Sequence, residues 1–380
     1  MTAGKSLHYC YQHLDYTRIS LARERKGLTK KKLAELIDKK PSAVTQFESG
    51  KSGLTFDTFE RLVEVLDVPA IYLTDLIQTP VLRMEACHFR ANRSVTQSDR
   101  YRALRFSQDV VALYSILELQ HGIVFPEMSF ESHSGPRPNE RQLEQYAIEV
   151  RGKIGLGLGP ILNMAELLES IGIRIVLLPT ECAVLDAFAT WVDGYPCIMI
   201  AADSPASRMQ FDYAHEFAHL LLDEDNPSGD PLVERLANRF ASSFLMPLPT
   251  FTPDCPSRYT RSQFLSVKKF WHVSMKAAIY RAKQLGLISE SQYTNAFVSM
   301  ARQGINKDEP GEFTPPLPTM LEQALEMISH EVTIDSLADE IGINPAQLLE
   351  ILVVQRVSPA LIKKLTSTPP KTKVLRLVKG

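Results

Sequence analysis

The sequence lacks the features that would assign it to a membrane, secreted or wholly basic class of protein. No apolar run approaches the roughly 18 residues that a membrane-spanning helix needs, and the first residues contain no apolar segment typical of a secretory signal. The five cysteines are scattered and never form a CxxC pair, which indicates reduced thiols rather than a disulfide framework. We therefore expect a cytoplasmic protein that makes no contact with membranes.

An excess of charge of one sign is also missing, because 42 basic residues balance 44 acidic ones over 380 residues, for a net charge of −2. The length and the 44% hydrophobic content predict two or three domains with cores of their own. The charge is nevertheless uneven. Residues 18–51 carry ten basic and four acidic side chains, a net charge of +6, which predicts that this end of the chain meets a polyanion.

The basic front end has the pattern of a helix-turn-helix. Thr29 is a good N-cap before the apolar positions Leu33, Ala34 and Ile37, and Ser42 is expected to cap a third helix. Small and amide side chains on that third helix suit the major groove of DNA, and neighbouring lysines suit its phosphates. The candidate DNA-contacting residues are Lys39, Lys40, Ser42, Ala43, Thr45, Gln46 and Lys51. The alternative is a small helical bundle with a solvated lysine face.

This front module, residues 18–73, resembles the XRE/Cro-type helix-turn-helix. The resemblance is carried by the LT…LAE pattern of the second helix and by VTQFESGK in the third. It implies a five-helix domain that binds a double-stranded DNA operator. Since readers of palindromic sites are commonly dimers, we also expect a homodimer.

The middle of the chain contains the metal-ligand pattern HExxH. In a helix, His215 and His219 lie one turn apart and can converge on one Zn²⁺, while Glu216 can serve as general base toward a water. Zinc needs a third protein ligand. Glu234 is the candidate, because a helix that begins at Pro231 would place it in the first turn and fold back on the HExxH helix.

Other residues near this pattern are candidates for supporting roles. A histidine ligand needs a partner that orients its ring, and Asp212 and Asn238 are the two candidates for that role. Tyr213 and Tyr195 are candidates for stabilising a developing oxyanion, although a core or surface role is the stronger interpretation of each. The apolar segment 196–201 predicts a strand, and we expect it to be an edge to which substrate backbone could add.

The same stretch resembles the ImmA/IrrE family of zinc metallopeptidases. The HExxH helix is followed by the family's E-x-x-A-N-x-F-A pattern, and with the front module the resemblance covers roughly residues 15–310. It implies that His215, His219 and Glu234 bind zinc, that Glu216 is the catalytic base, and that the substrate is a repressor- or antitoxin-like protein. One departure is Ala218, where many members carry glycine before the second histidine; alanine is small enough to expect little harm.

These patterns together predict an α+β, mostly helical chain. We expect an N-terminal five-helix helix-turn-helix domain, a zincin-like metallopeptidase domain with a small antiparallel sheet whose hairpin turns at Asp193-Gly194, and a C-terminal helical unit. The predicted boundaries are 1–80 for the DNA-binding domain, 81–145 for a helical connector, 146–306 for the peptidase domain, 307–318 for a Pro-rich linker and 319–380 for the C-terminal unit.

The C-terminal unit repeats the helix-turn-helix pattern, but its second helix is acidic and apolar. A packing or dimerisation role is therefore favoured over a second DNA reader, an alternative that the basic tail, residues 371–380, keeps open.

Three functions fit the sequence. The first is a DNA-binding regulator whose zinc peptidase cleaves a specific protein partner, or the chain itself, after a signal. The second is a non-proteolytic antitoxin or autorepressor whose peptidase-like domain senses a ligand or binds a toxin. The third, a broad-specificity housekeeping protease, is disfavoured because such an enzyme has no need of a DNA-binding module.

Overall fold

The computed structural model describes residues 6–77, 80, 82, 96–133, 138–182, 187–222, 230–306 and 308–367. These residues are mostly helical, as predicted, and the basic tail lies outside them. The helices are α1 Leu7–Gln12, α2 Tyr16–Arg25, α3 Lys30–Leu36, α4 Pro41–Glu48, α5 Phe56–Leu66, α6 Gln97–Leu119, α7 Glu140–Lys153, α8 Met164–Ser170, α9 Ala206–Leu222, α10 Pro231–Leu245, α11 Leu248–Asp254, α12 Arg261–Trp271, α13 Met275–Gln284, α14 Glu290–Arg302, α15 Met320–Ile328, α16 Ile334–Ile341, α17 Pro345–Val354 and α18 Pro359–Thr366. The strands are β1 Arg174–Leu178, β2 Ala187–Val192 and β3 Tyr195–Ala201.

The chain divides into two compact units. The first combines Met1–Pro80, Tyr101–Val124 and Thr319–Gly380, and the second combines Val81–Arg100 and Phe125–Pro318. Within the described ranges, no helix is both long and apolar enough to span a bilayer.

The first unit contains the five N-terminal helices that the sequence predicts. Thr29 caps α3 through a 3.1 Å bond from the Lys32 amide, and the predicted apolar face of that helix is buried. The expected cap of α4 is wrong. This helix begins at Pro41, whose fixed φ suits the first helical position, so Ser42 lies inside the first turn and the Lys40 side chain makes no capping bond.

The C-terminal helices belong to this same unit. On α17, the Gln347 side chain accepts a 2.9 Å bond from the Arg25 guanidinium of α2 and donates a 2.9 Å bond to the Asp67 carbonyl. The Asn344 amide donates to the same carbonyl at 2.8 Å. Arg25 in turn pairs at 2.9 Å with Asp109 of α6. All three chain segments of the unit therefore meet in one polar network around the end of α2.

The second unit contains a sheet of three strands in the order β1-β3-β2. Asp193 and Gly194 both have positive φ, as a type I′ turn requires, and join β2 to β3 as an antiparallel hairpin. The sheet is small, as predicted, but mixed rather than antiparallel, because β1 pairs with β3 in parallel. The expectation for residues 196–201 is also wrong, since β3 is the central strand and both of its sides are hydrogen-bonded within the sheet.

Helix α9 packs on this sheet and against α10. Aromatic contacts join α9 to α10, with the Phe217 ring centroid 6.2 Å from that of Phe240 and 5.6 Å from that of Phe244. Helix α10 begins at Pro231, as predicted, and the Asp230 carboxylate caps it through a 2.8 Å bond from the Leu232 amide. This packing fixes how the polar faces of the two helices meet.

Candidate metal site and nucleic-acid interface

Two histidine rings meet on one face of α9. His215 and His219 are one helical turn apart, and their Nε2 atoms are 3.1 Å from each other. Both residues are almost wholly buried, at 3% and 2% exposure. This burial withdraws the two imidazoles from solvent, and their Nε2 atoms face each other.

Helix α10 brings a carboxylate to the same point. Glu234 Oε2 is 3.4 Å from His215 Nε2, and Glu234 Oε1 is 3.5 Å from His219 Nε2. Ligand atoms about 2.0–2.1 Å from a tetrahedral zinc ion lie roughly 3.3 Å from one another. The distances among the three side chains therefore fit a zinc ion, and two imidazoles with one carboxylate are a donor set that zinc accepts.

Glu216 lies beside the histidine pair and is itself buried, at 3% exposure. Potential ligand atoms of His215, Glu216 and His219 all fall within 4.8 Å of one another. The residue follows directly after the first histidine, so its carboxylate is close to the triangle while Glu234 forms the third corner. The four residues singled out by the HExxH pattern and the following helix are thus brought together.

The candidate DNA-contacting residues lie around α4. Lys39, Lys40, Ser42, Thr45, Gln46 and Lys51 are exposed, and Ala43 is half-buried. The residues between them, Val44 and Phe47, are buried in the unit and hold the helix in place. The exposed part of α4 therefore carries small and amide side chains, and exposed lysines precede and follow the helix.

Comparison with known protein families bears on both regions. Residues 19–73 match a family model described as helix-turn-helix, and residues 168–283 match a peptidase family model described as the IrrE N-terminal-like domain. This chain joins a helix-turn-helix domain to an IrrE-type peptidase domain. The fusion predicted from the sequence is confirmed. Among curated proteins, none matches the chain.

Within the helix-turn-helix domain, part of the basic charge counted in the sequence is structural. Arg18 and Arg23 are buried, at 7% and 8% exposure. Arg23 pairs with Glu48 of α4, and Arg25 pairs with Asp109. These arginines fasten the domain together, so the charge available to a polyanion comes mainly from the lysines.

The candidates for orienting the histidines have identifiable neighbours in the peptidase domain. Asp212 lies one turn before His215, and its Oδ2 is 3.6 Å from Nε of Arg208. The Asn238 amide donates a 2.7 Å bond to the backbone carbonyl of Glu234. Asn238 therefore steadies the turn of α10 that carries Glu234, and that bond joins it to the glutamate rather than to a ring.

The two tyrosines have structural surroundings. Tyr213 is wholly buried, and burial, with a smaller contribution from Glu169, raises the pKa of its hydroxyl well above the usual range. Tyr195 begins β3, where the Arg174 guanidinium lies 3.6 Å from its ring centroid. These surroundings give Tyr213 a place in the core and Tyr195 a stacking partner on the sheet.

Sequence reasoning missed two carboxylates in the segment predicted to be a linker. Glu312 accepts 2.9 Å bonds from the backbone and the hydroxyl of Ser207, in the first turn of α9. Glu309 accepts bonds from the amides of Met275 and Lys276, at 2.7 and 3.1 Å, at the start of α13. Both carboxylates satisfy amide groups that a helix N-terminus leaves without an intrahelical partner.

The buried ammonium of Lys268 joins these two carboxylates, lying 3.2 Å from Glu309 and in contact with Glu312. The segment is thereby fastened to the helix that carries the histidines. The only signal in the sequence was the two glutamates on either side of Pro310, and their partners are distant along the chain.

Proposed function

We propose that this chain is a DNA-binding transcriptional regulator whose peptidase domain is a zinc-dependent endopeptidase. It cleaves a specific protein, such as a repressor or antitoxin, or the chain itself, in response to a signal. The observation that carries the proposal is the triangle formed by His215, His219 and Glu234, with Glu216 beside it. A domain kept only as a scaffold would not need a base next to three ligands.

The proposed chemistry divides the work among the four residues. His215, His219 and Glu234 would hold Zn²⁺, which polarises a peptide carbonyl and lowers the pKa of a water. Glu216 takes the proton of the attacking water and delivers it to the amine that leaves. Burial of Glu216 excludes bulk water from this transfer, so that the proton stays between carboxylate and substrate.

The DNA-binding half of the proposal rests on the exposed face of α4. Gln46 would bond base edges in the major groove, and Lys39, Lys40 and Lys51 would neutralise phosphates. Two copies of the chain would read the halves of a palindromic operator in the cytoplasm. Cleavage by the peptidase domain would then change the occupancy of that operator.

The metal site is tested by elemental analysis of protein purified without added metal. We expect about one zinc per chain in the wild type and its loss in His219→Ala. His330→Ala is the matched control, because His330 is an exposed histidine of the other unit. Zinc-free wild type would overturn the proposal, and zinc retained in His219→Ala would place the metal elsewhere.

The catalytic role of Glu216 is tested by Glu216→Gln, which keeps the shape of the side chain and removes its basicity. We expect unchanged zinc content and at least a hundredfold loss of cleavage, as for removal of a general base. The assay co-expresses the chain with proteins encoded by neighbouring genes and follows their cleavage. Normal zinc with no cleavage of any of these proteins, or of the chain, would instead favour the antitoxin or autorepressor alternative.

A further inference from the structure

A large cavity opens beside the candidate zinc site. It has a volume of about 920 Å³, and Glu234, one corner of the triangle, forms part of its wall. Arg208 and Asp212 also line it, and they lie two turns and one turn before His215 on the same face of α9. The cavity therefore runs along α9 and adjoins the metal site at Glu234.

Four aromatic side chains line this cavity, one on α9 and three on α13 and α14. Phe211, Tyr280, Tyr293 and Phe297 line the cavity, which we call the aromatic cavity. The ring centroids of Tyr280 and Tyr293 are 6.4 Å apart, and those of Tyr293 and Phe297 are 4.8 Å apart. None of the four rings is fully buried. A concave, partly exposed aromatic surface is an apolar binding surface, because water gains little from contact with it.

Three of the carboxylates around the aromatic cavity have compensating partners. Glu309 and Glu312 line it, but the buried Lys268 and the amides of two helix N-termini already compensate both carboxylates. Asp212 faces Arg208. Arg235, Lys276 and Asp308 also line the cavity, but they are not buried, so their charges stay in contact with solvent. An uncharged apolar group that enters the cavity would gain from contact with the aromatic rings.

We propose that the aromatic cavity binds a large apolar side chain of the polypeptide substrate, adjacent to the bond that is cut. This inference rests on the proposed function, since it adds the substrate class to that same site. The volume exceeds that of a single aromatic side chain, which leaves room for the neighbouring backbone. Discrimination follows from size and apolar area, so substrates with glycine or alanine at this position are cleaved poorly.

The test uses two metal-binding probes that differ only in a phenyl ring, phenylpropanohydroxamate and propanohydroxamate. Their dissociation constants from the zinc-loaded full chain are measured by calorimetry. We expect the phenyl compound to bind at least about tenfold more tightly, the discrimination that an apolar pocket commonly supplies. Removal of the zinc should abolish the binding of both compounds.

Two tryptophan substitutions, one at the aromatic cavity and one away from it, test whether this cavity causes the preference for the phenyl compound. Ala277→Trp places a large ring at a residue that lines the aromatic cavity, whereas Ala301→Trp makes the same change at an exposed position on α14. We expect Ala277→Trp to remove the preference for the phenyl compound and to leave binding of the smaller one unchanged. Ala301→Trp should behave as wild type. Phe297→Ala, which removes one wall, is the second variant and should weaken only the phenyl compound.

The remaining outcomes distinguish failure of the cavity proposal from failure of the proposed function. Equal binding of both probes to the wild type, no binding to zinc-loaded protein, or unchanged preference in Ala277→Trp and Phe297→Ala would overturn the cavity proposal and leave the zinc site intact. Phenyl-dependent binding that survives metal removal would make the cavity a ligand-sensing site instead. Failure of the proposed function appears separately, as absence of zinc in the elemental analysis.

Discussion

At the scale of single residues, the buried guanidinium of Arg281 shows how the peptidase domain holds α10 in position. It donates two bonds to Glu144, at 2.6 and 2.7 Å, and one to the carbonyl of Met246 at 3.0 Å, just beyond the end of α10. Burial raises the pKa of Glu144, but the hydrogen bonds and charge of Arg281, with smaller contributions from Ser243 and Arg239, outweigh it and leave the pKa below its usual value. The helix that carries Glu234 is thus fixed at its far end by an ion pair.

We predict that Glu144→Gln costs about 3 kcal/mol at neutral pH, because Arg281 is left buried without its counter-charge. Since the folded-state pKa of Glu144 is lowered, its contribution to stability is present above the ordinary glutamate pKa and is lost as the pH falls through the folded-state value. The difference in Tm between wild type and variant should therefore shrink on acidification.

The measurement is thermal unfolding of both proteins at a series of pH values. Glu149→Gln, an exposed glutamate on the same helix α7, is the control, and it should change stability by less than about 0.5 kcal/mol. A difference for Glu144→Gln that stays constant from neutral to acidic pH would contradict the prediction, because the contribution of Glu144 would then not depend on its ionisation.

Residues of the candidate site were predictable where local spacing determines geometry. One helical turn separates His215 from His219, so any helix there places both rings on one face. The arginines of α2 were not predictable in the same way. The sequence counts them as part of a basic surface, but Arg25 forms an ion pair with Asp109 and Arg23 with Glu48. Such partners are distant along the chain, so only the tertiary structure reveals them.

At the scale of secondary-structure elements, the connection between α8 and β1 depends on one glycine. Gly172 has φ of +89°, and a Cβ atom there would lie 2.6 Å from the backbone nitrogen of Met128 and 2.7 Å from the carbonyl carbon of Glu127. Gly194 in the hairpin has a similar φ of +84°, but among the described residues no atom lies within 4 Å of the same position. The two glycines share a backbone conformation and differ in their surroundings.

We predict that Gly194→Ala costs about 1 kcal/mol, the price of a left-handed conformation alone. Gly172→Ala should cost about 2 kcal/mol more, because the neighbouring backbone must move. Denaturant unfolding of the two variants measures the difference in their free energies of unfolding, provided that both curves have the same dependence on denaturant concentration. Equal losses of unfolding free energy would mean that the backbone at residues 127 and 128 moves to accommodate the added methyl group without destabilising the fold.

Elements were predictable as far as their determinants are local. The hairpin at Asp193-Gly194 is predictable because these residue types favour a type I′ turn. The start of α10 at Pro231 is predictable because the fixed φ of proline suits the first position of a helix. The parallel pairing of β1 with β3 follows from no local signal. All residues of β1 are buried, and after Arg174 its sequence is a continuous apolar run, which carries no alternation that would specify its partner or direction.

At the scale of the whole molecule, three separate chain segments build the first unit. The sequence predicts helices over residues 319–367 but not their association with α2, because Gln347 and Asn344 resemble ordinary helix-terminal residues until their bonds to Arg25 and Asp67 are seen. Hydrophobic periodicity identifies a buried face without saying what covers it.

The second unit contains both tryptophans of the chain, Trp191 and Trp271. Trp271 is buried, with its indole donating a 3.1 Å bond to Asp254, and the Trp191 ring lies 6.4 Å from that of Phe130. Tryptophan fluorescence therefore reports on unfolding of the unit that contains the candidate zinc site, whereas far-ultraviolet circular dichroism reports on helices of both units.

We predict that a chelator lowers the midpoint of the fluorescence transition in the wild type. A metal that binds only the folded state stabilises it by about 4 kcal/mol when its free concentration is a thousand times the dissociation constant. Removing it should lower the midpoint by several degrees, while the part of the dichroism signal that belongs to the first unit does not move. His219→Ala should unfold at the lower midpoint with or without chelator. An equal chelator effect in wild type and variant would mean that the stabilising ion is bound away from the histidines, because the variant lacks one corner of the triangle.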